Sequence, residues 1–287
     1  MIWEPTTLNC RGTLLDLETP VVMGILNVTE DSFSDGGKYT DVDAALQQVG
    51  RMLAEGAKII DVGGQSSRPG AQTLTADAEW AQVQPHLKRL LAEFPEAFFS
   101  IDTYHAQVAR KALDLGVHIV NDISAWEIDP DLLQVVIDYE VPYVLMHMQG
   151  QPSSMQKDPS YDHVVTDVMD FMIDKLRVLM ERDVRDVIVD PGFGFGKTID
   201  HNFQLLSDLN AFKILERPIM VGLSRKSMIG TVLDDLKRDR ENGTSVLHTL
   251  ALQNGAKILR AHNVANAMEC IQLWRRYQQS NAPTQKE

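Results

Sequence analysis

Residues 42–64 read VDAALQQVGRMLAEGAKIIDVGG. The first part carries apolar side chains at i, i+3, i+4 spacing and predicts an amphipathic helix over Val42–Glu55. Gly56 follows as a C-cap, where a residue without Cβ accepts the left-handed turn that ends a helix. Then comes a short apolar strand, Ile59–Val62, and after it a polar, glycine-rich segment that opens on Asp61 and runs to Gly70.

The same unit recurs in both directions. Strands are expected at Val21–Leu26, Ile59–Val62, Ala97–Ile101, Ile119–Asn121, Tyr143–Met146, Val187–Val189, Ile219–Val221 and Ile258–Leu259. Helical spacing fills the gaps at Val42–Glu55, Asp77–Phe94, Gln107–Leu115, Asp131–Tyr139, His163–Arg182, Asn202–Leu209, Gly243–Asn254 and Val264–Arg276. Gly116 and Gly255 repeat the cap of Gly56. Eight βα units in a chain of 287 residues fit a single-domain α/β fold, the (β/α)8 TIM barrel, whose usual length is about 250 residues. A doubly wound sheet fits less well, because no GxGxxG follows the first strand. Residues 1–19 read as an N-terminal cap or hairpin, 20–277 as the barrel, and 278–287 as a polar, disordered tail.

Composition narrows the function classes. With 44% apolar and 23% charged residues the chain is neither disordered nor membrane-embedded, and no basic, apolar leader is visible at its start. The expected location is the cytoplasm. Forty acidic against 27 basic residues give a net charge of −13, which disfavours nucleic acid and anionic lipid as partners. Cys10 and Cys270 lie near opposite ends and suggest neither a zinc site nor a disulfide framework.

In a barrel the C-terminal strand ends converge on one mouth, and here they are rich in chemistry. Asp61, Asp102, Asn121 and Asp190 can hydrogen-bond the edge of a flat, nitrogen-rich heterocycle, although a lone strand-end Asp is more often a cap or turn residue. Arg68, Arg225, Lys226, Arg260 and His262, with Lys197 close by, gather cations on an acidic chain and point to an anionic group such as a phosphate or pyrophosphate. Arg225 could instead pair with a nearby loop carboxylate. Residues 192–196, GFGFG, bring backbone close to a ligand or to a sharp turn. Residues 31–37 form a long loop in which Phe33 could close over a substrate. Met146, Met148 and Met155 fall to packing by default.

Taken together, MGILNVTEDSFSDGG, IIDVGGQSSRPGA, SIDT, NDIS, MHMQG, DPGFGFGKT, GLSRKS and RAH span residues 23–262 and resemble the dihydropteroate synthase family of pterin-binding barrels. The resemblance implies condensation of 7,8-dihydropterin-6-ylmethyl diphosphate with 4-aminobenzoate, giving 7,8-dihydropteroate and pyrophosphate. It implies a pterin site of Asp102, Asn121, Met146, Asp190, Gly194, Phe195 and Lys226, with Asp102, Asp190 and Lys226 catalytic. Diphosphate falls to Asn27, Ser67, Arg68, Arg260 and His262, with Asn27 also holding Mg2+. Aminobenzoate falls to Phe33, Ser67, Pro69, Lys226 and Ser227, beside Arg68. The family further implies a homodimer and competition by sulfonamides. Corrinoid-linked pterin methyltransferases share part of the pattern but hold no diphosphate, and a non-catalytic pterin-binding barrel would lack the cations. The chain departs from the family at Glu30 for Pro, Gln65 for Glu, Ser67 for Thr and Asn263 for Asp.

Overall fold

The structure is a computed structural model that describes residues 6–28, 41–65, 73–151, 155, 158–234 and 239–280. Eight parallel strands close a barrel in chain order: β3 (Val21–Asn27), β4 (Ile59–Gly63), β5 (Phe98–Asp102), β6 (Ile119–Asp122), β7 (Tyr143–Met146), β8 (Val187–Asp190), β9 (Ile219–Val221) and β10 (Ala256–Ala261), which pairs back to β3. Around it lie α1 (Asp41–Ala54), α2 (Ala76–Glu93), α3 (Ala106–Leu115), α4 (Asp131–Tyr139), α5 (Val164–Glu181), α6 (Ile199–Ser207), α7 (Ser227–Val232), α8 (Glu241–Gln253) and α9 (Val264–Ser280). The expected TIM barrel is therefore the fold. Among the described residues no helix is long and apolar enough to cross a membrane.

Before the barrel stands a hairpin of β1 (Thr7–Cys10) and β2 (Thr13–Asp16). Its two-residue turn, Arg11-Gly12, has positive φ at both positions, the geometry that matches the twist of the flanking strands. Leu8, Cys10, Leu15 and Leu17 are turned inward onto Val21, Met23, Ile59, Ile119, Val144, Ile188, Met220 and Ile258, which lie toward the strand beginnings. The hairpin thus plugs the N-terminal end of the barrel and leaves the other end as the mouth. The larger core lies between strands and helices, where Val22, Ile60, Phe99, Val120, Leu145, Val189 and Leu259 face outward into it.

Several boundaries differ from expectation, each for a local reason. Five strands reach one residue further than the apolar runs, because hydrogen bonding to a neighbour continues past the last apolar side chain; Asn27, Gly63, Asp102, Asp122 and Asp190 are strand residues. The register aligns Asn27 with Gly63, Gly63 with Asp102 and Asp102 with Asn121, a continuous row along the rim. A Cβ on Gly63 would sit 3.3 Å from that of Asp102, so glycine there leaves room for the carboxylate. A 3-10 helix at Leu209–Leu215 and the six-residue α7 were not foreseen, being too short for a periodic signal. α9 runs to Ser280, so the first three residues of the expected tail are helical; Gln278 bonds Gln253 of α8 across the helix pair at 2.8 Å. The rest of that tail lies outside the described residues.

Candidate active site

At the centre of the mouth is Arg260, which points inward from β10. Its Nε donates to Asp61 Oδ2 at 2.7 Å and its Nη2 to Asp102 Oδ2 at 2.5 Å, while Asn121 Nδ2 donates to the same Asp61 oxygen at 2.9 Å. Residues from four strands are thereby locked together. Burial alone would ease the proton off Arg260, but the facing carboxylates of Asp61 and Asp102 reverse that and hold it firmly charged. Burial pushes Asp102 up to about 7; Arg260 pulls it down, and the carboxylates of Asp61, Glu79 and Asp122 push it up again.

Across from this knot, Asp190 ends β8. Burial raises its pKa, against the opposing pull of a 2.8 Å hydrogen bond from the Gly192 N–H and of the charges on Lys226, Arg260 and Lys197. Lys226 lies at the start of α7 with Nζ 4.3 Å over the Phe195 ring. Burial lowers it to about 8, as does Arg260, while Asp190 and Asp102 raise it. Met146 and Phe195 join Tyr104, Ile123, Met148 and Met155 in an apolar cluster apart from the main core. An apolar wall facing Asp102, Asn121 and Asp190 is a slot for a flat ring with a hydrogen-bonding edge.

His262 follows β10, and Ser224 ties it to the loop after β9. The Ser224 hydroxyl oxygen accepts the His262 backbone N–H at 3.2 Å and lies 3.0 Å from Nδ1. With the hydroxyl proton on Nδ1, the neutral ring carries its own hydrogen on Nε2, as a donor. Among the cations expected at the mouth, two have other work. Arg225 pairs with Glu241 at 2.5 Å, the loop-carboxylate alternative, and Lys197 is turned into the protein among backbone carbonyls. Among the described residues Lys226 and Arg260 remain as cations at the mouth, Arg260 paired with two carboxylates, with His262 beside them as a donor. Asp122 is also structural, since it accepts from Ser124 N and Oγ, Trp126 N and the Tyr143 hydroxyl and so shapes the turn after β6.

Asn27 ends β3 half-buried and Ser227 opens α7 exposed. Gly194 contacts Lys226: a Cβ there would lie 3.3 Å from Nζ. Glu30, Phe33, Ser67, Arg68 and Pro69 lie outside the described residues. A buried group that the strand ends did not reveal is Glu79 on α2, whose Oε2 accepts from Gln65 Nε2 at 2.8 Å and Thr103 Oγ1 at 3.0 Å. Burial raises its pKa, and Gln65, Thr103 and His105 hold it down. The signal was present: Glu79 lies four residues before Val83 on the stripe of Val83, Leu87 and Leu90. Gln65 also accepts from the Tyr104 hydroxyl at 2.7 Å and from Leu74 N at 3.3 Å. An amide there donates to Glu79, which a second carboxylate at position 65 could do only in its protonated form.

Comparison with known proteins agrees with this geometry. Residues 23–262 match the family model described as pterin binding enzyme. The dihydropteroate synthase of Haemophilus influenzae is 43% identical over 269 residues, 93% of this chain and 97% of the relative. The structure of Yersinia pestis dihydropteroate synthase with a sulfonamide drug complex superposes with a TM-score of 0.89 at 40% identity, covering 95% of this chain and 99% of that one. That of Xanthomonas albilineans dihydropteroate synthase with 4-aminobenzoic acid gives 0.88 at 39% identity, with coverage of 95% and 98%. The chain belongs to the pterin-binding enzyme family and, within it, to the dihydropteroate synthases.

Proposed function

We propose that this barrel joins 7,8-dihydropterin-6-ylmethyl diphosphate to 4-aminobenzoate. The observation that carries the reading is the meeting, on one rim, of a carboxylate and amide edge (Asp102, Asn121, Asp190) with the cations Lys226 and Arg260 and the imidazole of His262. The pterin lies against Met146 and Phe195 with its ring nitrogens toward Asp102, Asn121 and Asp190. Its diphosphate reaches Arg260, His262 and Asn27, together with Ser67 and Arg68. Aminobenzoate enters beside Lys226 and Ser227, with Phe33, Ser67 and Pro69.

The reaction breaks the methylene C–O bond, whose electron pair leaves on pyrophosphate, and forms a C–N bond from the amine lone pair; the amine then releases one proton. Positive charge that builds on the pterin as the C–O bond lengthens is opposed by ionised Asp102 and Asp190, and negative charge on the leaving group by Arg260 and His262. These groups are held before substrate arrives, so they need little rearrangement as charge develops.

Magnesium fits as an ion carried on the diphosphate. Among the described residues no three carboxylate, His or Cys side chains gather as a metal cage, whereas the Asn27 amide oxygen at the end of β3 suits a hard cation that keeps most of its ligands as phosphate and water. Asn27 would hold such an ion, which would supply neutralising charge toward the diphosphate.

We place the reaction in the cytoplasm, supported by two buried, free thiols, Cys10 and Cys270, as a reducing compartment allows. We further assign a homodimer, whose contact surface is the exposed apolar set Val246 and Leu250 on α8 with Leu273 and Tyr277 on α9. Light scattering on Leu250→Glu would show a monomer.

The deciding experiment measures pyrophosphate release with pterin diphosphate, magnesium and varied aminobenzoate. Release is expected only with the amine present. In calorimetry His262→Ala should weaken pyrophosphate binding far more than binding of a phosphate-free pterin; equal losses would refute the assignment of His262.

A further inference from the structure

Lys197 is a buried cation that the reaction above does not use. Its Nζ lies 2.9 Å from the Gly192 carbonyl oxygen, 3.1 Å from that of Phe195, 3.3 Å from that of His147 and 2.9 Å from His147 Nδ1. Three of these acceptors are carbonyls, which can only accept, so the protonated amine with its three N–H groups is the form that satisfies them. The imidazole is compatible: burial, and then the charge of Lys197, push His147 down to about 2, so the ring is neutral, and with its hydrogen on Nε2 the Nδ1 atom accepts from Nζ. Burial, with the charge of Lys226 adding to it, draws Lys197 down to about 7 even against the pull of Asp190, and it is the set of carbonyl acceptors that calls for the charged form.

These acceptors come from two loops that meet backbone to backbone. Residues 191–198, between β8 and α6, carry Gly194 and Phe195; residues 147–150 follow β7. A Cβ at Gly192 would run into the His147 carbonyl oxygen, and one at Gly196 into that of Gln149. Other groups complete the loop: the Tyr161 hydroxyl donates to Gly196 O at 2.7 Å, and Gly194 N donates to Asn202 Oδ1 at 2.7 Å. Asp190 belongs to the same assembly, since its carbonyl accepts from His147 N at 3.1 Å and its side chain from Gly192 N at 2.8 Å. Phe195 and Gly194 in turn meet Lys226.

We propose that Lys197 is a positioning residue for the pterin pocket: its buried ammonium pins the loops after β7 and β8 to each other and so sets Asp190, Phe195 and Lys226 in register for the ring. Removing the charge takes the ammonium donor from the His147 and Phe195 carbonyls and leaves the Gly192 carbonyl with only the Phe195 N–H at 3.2 Å; in a buried site an under-satisfied polar group is unfavourable, and the loops separate to reach water. Aminobenzoate meets this assembly through Lys226 alone and otherwise lies toward Ser227, so it should feel the change less than the pterin, which meets Asp190, Phe195 and Lys226 together.

The inference rests on the synthase reading of the pocket, and its test separates the two. Lys197→Met keeps the aliphatic stem and removes the ammonium. Calorimetry with a phosphate-free 6-hydroxymethylpterin should show affinity lowered by about tenfold, as expected when the pocket's groups lose register but not their own contacts with the ring. The KM for aminobenzoate, measured at saturating pterin diphosphate, should stay within about twofold of wild type. In Lys197→Ala, ammonium or methylammonium should restore pterin binding where sodium at equal ionic strength does not, a response that general loosening of the fold would not give. If Lys197→Met does not fold, His147→Leu serves in its place: it keeps the ammonium, removes one acceptor and should weaken pterin binding selectively. Unchanged pterin affinity in a folded variant, equal losses for both substrates, or absence of amine rescue would each overturn the proposal. Failure of the wild-type protein to release pyrophosphate would overturn the synthase reading instead, and leave the pterin titration to decide on Lys197.

Discussion

The pairing of Asp61 with Arg260 predicts a change of sign between two genetic backgrounds. Asp61 is fully buried, its Oδ2 accepts from both Arg260 and Asn121, and its Oδ1 has no hydrogen-bond partner among the described residues. Asp61→Asn preserves shape and can still accept from both donors, but it removes the negative partner of Arg260, makes the Asn121 bond a neutral one and buries an NH2 group that meets no acceptor among the described residues. Charge-assisted bonds contribute about 1.5–3 kcal/mol, so the variant should lose about 2 kcal/mol of stability. In urea, with a slope of about 3 kcal/mol/M for a chain of this size, the midpoint should fall by about 0.7 M at unchanged slope. Arg260→Met is more severe, about 3–5 kcal/mol, because it abandons a buried carboxylate. In that second background Asp61→Asn should stabilise, by about 1–3 kcal/mol, since it removes the orphaned charge. The four proteins form a double-mutant cycle. If Asp61→Asn costs the same in both backgrounds, the two side chains are energetically independent, and the argument that Asp61 holds Arg260 in place fails.

Other consequences can be checked directly. Asp190→Asn should leave the unfolding midpoint close to wild type yet abolish turnover, by several kcal/mol of lost transition-state stabilisation; near-normal kcat would remove Asp190 from the mechanism. Because Asp102 must be ionised and Lys226 protonated, kcat/KM for pterin diphosphate should rise as pH passes about 7 and fall above about 8, and Asp102→Asn should erase the acidic limb of whatever activity it retains. Burial pushes His248 on α8 down to about 4, below its unfolded value of about 6.5. The unfolded chain then binds the proton first, so stability is complete above about 6.5 and declines as pH falls toward 4; a His248→Leu variant should show a shallower acid limb in urea midpoints. A simple sulfonamide should compete with aminobenzoate in a steady-state titration, and an unchanged rate at low aminobenzoate and saturating drug would refute that.

Which parts of this molecule could be read from its sequence depends on what each feature rests on. Barrel strands rest on local apolar runs separated by helical spacing, so all eight were visible, and most errors were single residues at strand ends such as Asp102 and Asp190, where backbone pairing outlasts the apolar pattern; β10 runs two residues further at each end than its apolar pair Ile258–Leu259. Strand order then placed Asp61, Asp102, Asn121 and Arg260 at one mouth, because a closed parallel barrel admits one arrangement of ends. Partnership within the mouth was another matter. Nothing local distinguishes Arg260, which bridges two carboxylates across the barrel, from Arg225, which pairs with Glu241 beside it. Lys197 is the clearest case: as one cation among several it suggested an anion, whereas its acceptors are carbonyls. Two of those carbonyls, of Gly192 and Phe195, lie in a loop where Gly192, Gly194 and Gly196 all adopt positive φ, a backbone path that glycine permits but does not dictate. A glycine-rich loop on such a barrel therefore has two ways to use a nearby lysine, as a donor to a bound anion or as a donor to its own backbone. The choice is made by whether the loop's carbonyls already have partners, and that is settled in three dimensions by His147, Tyr161 and Asn202, none of them adjacent to the lysine in sequence.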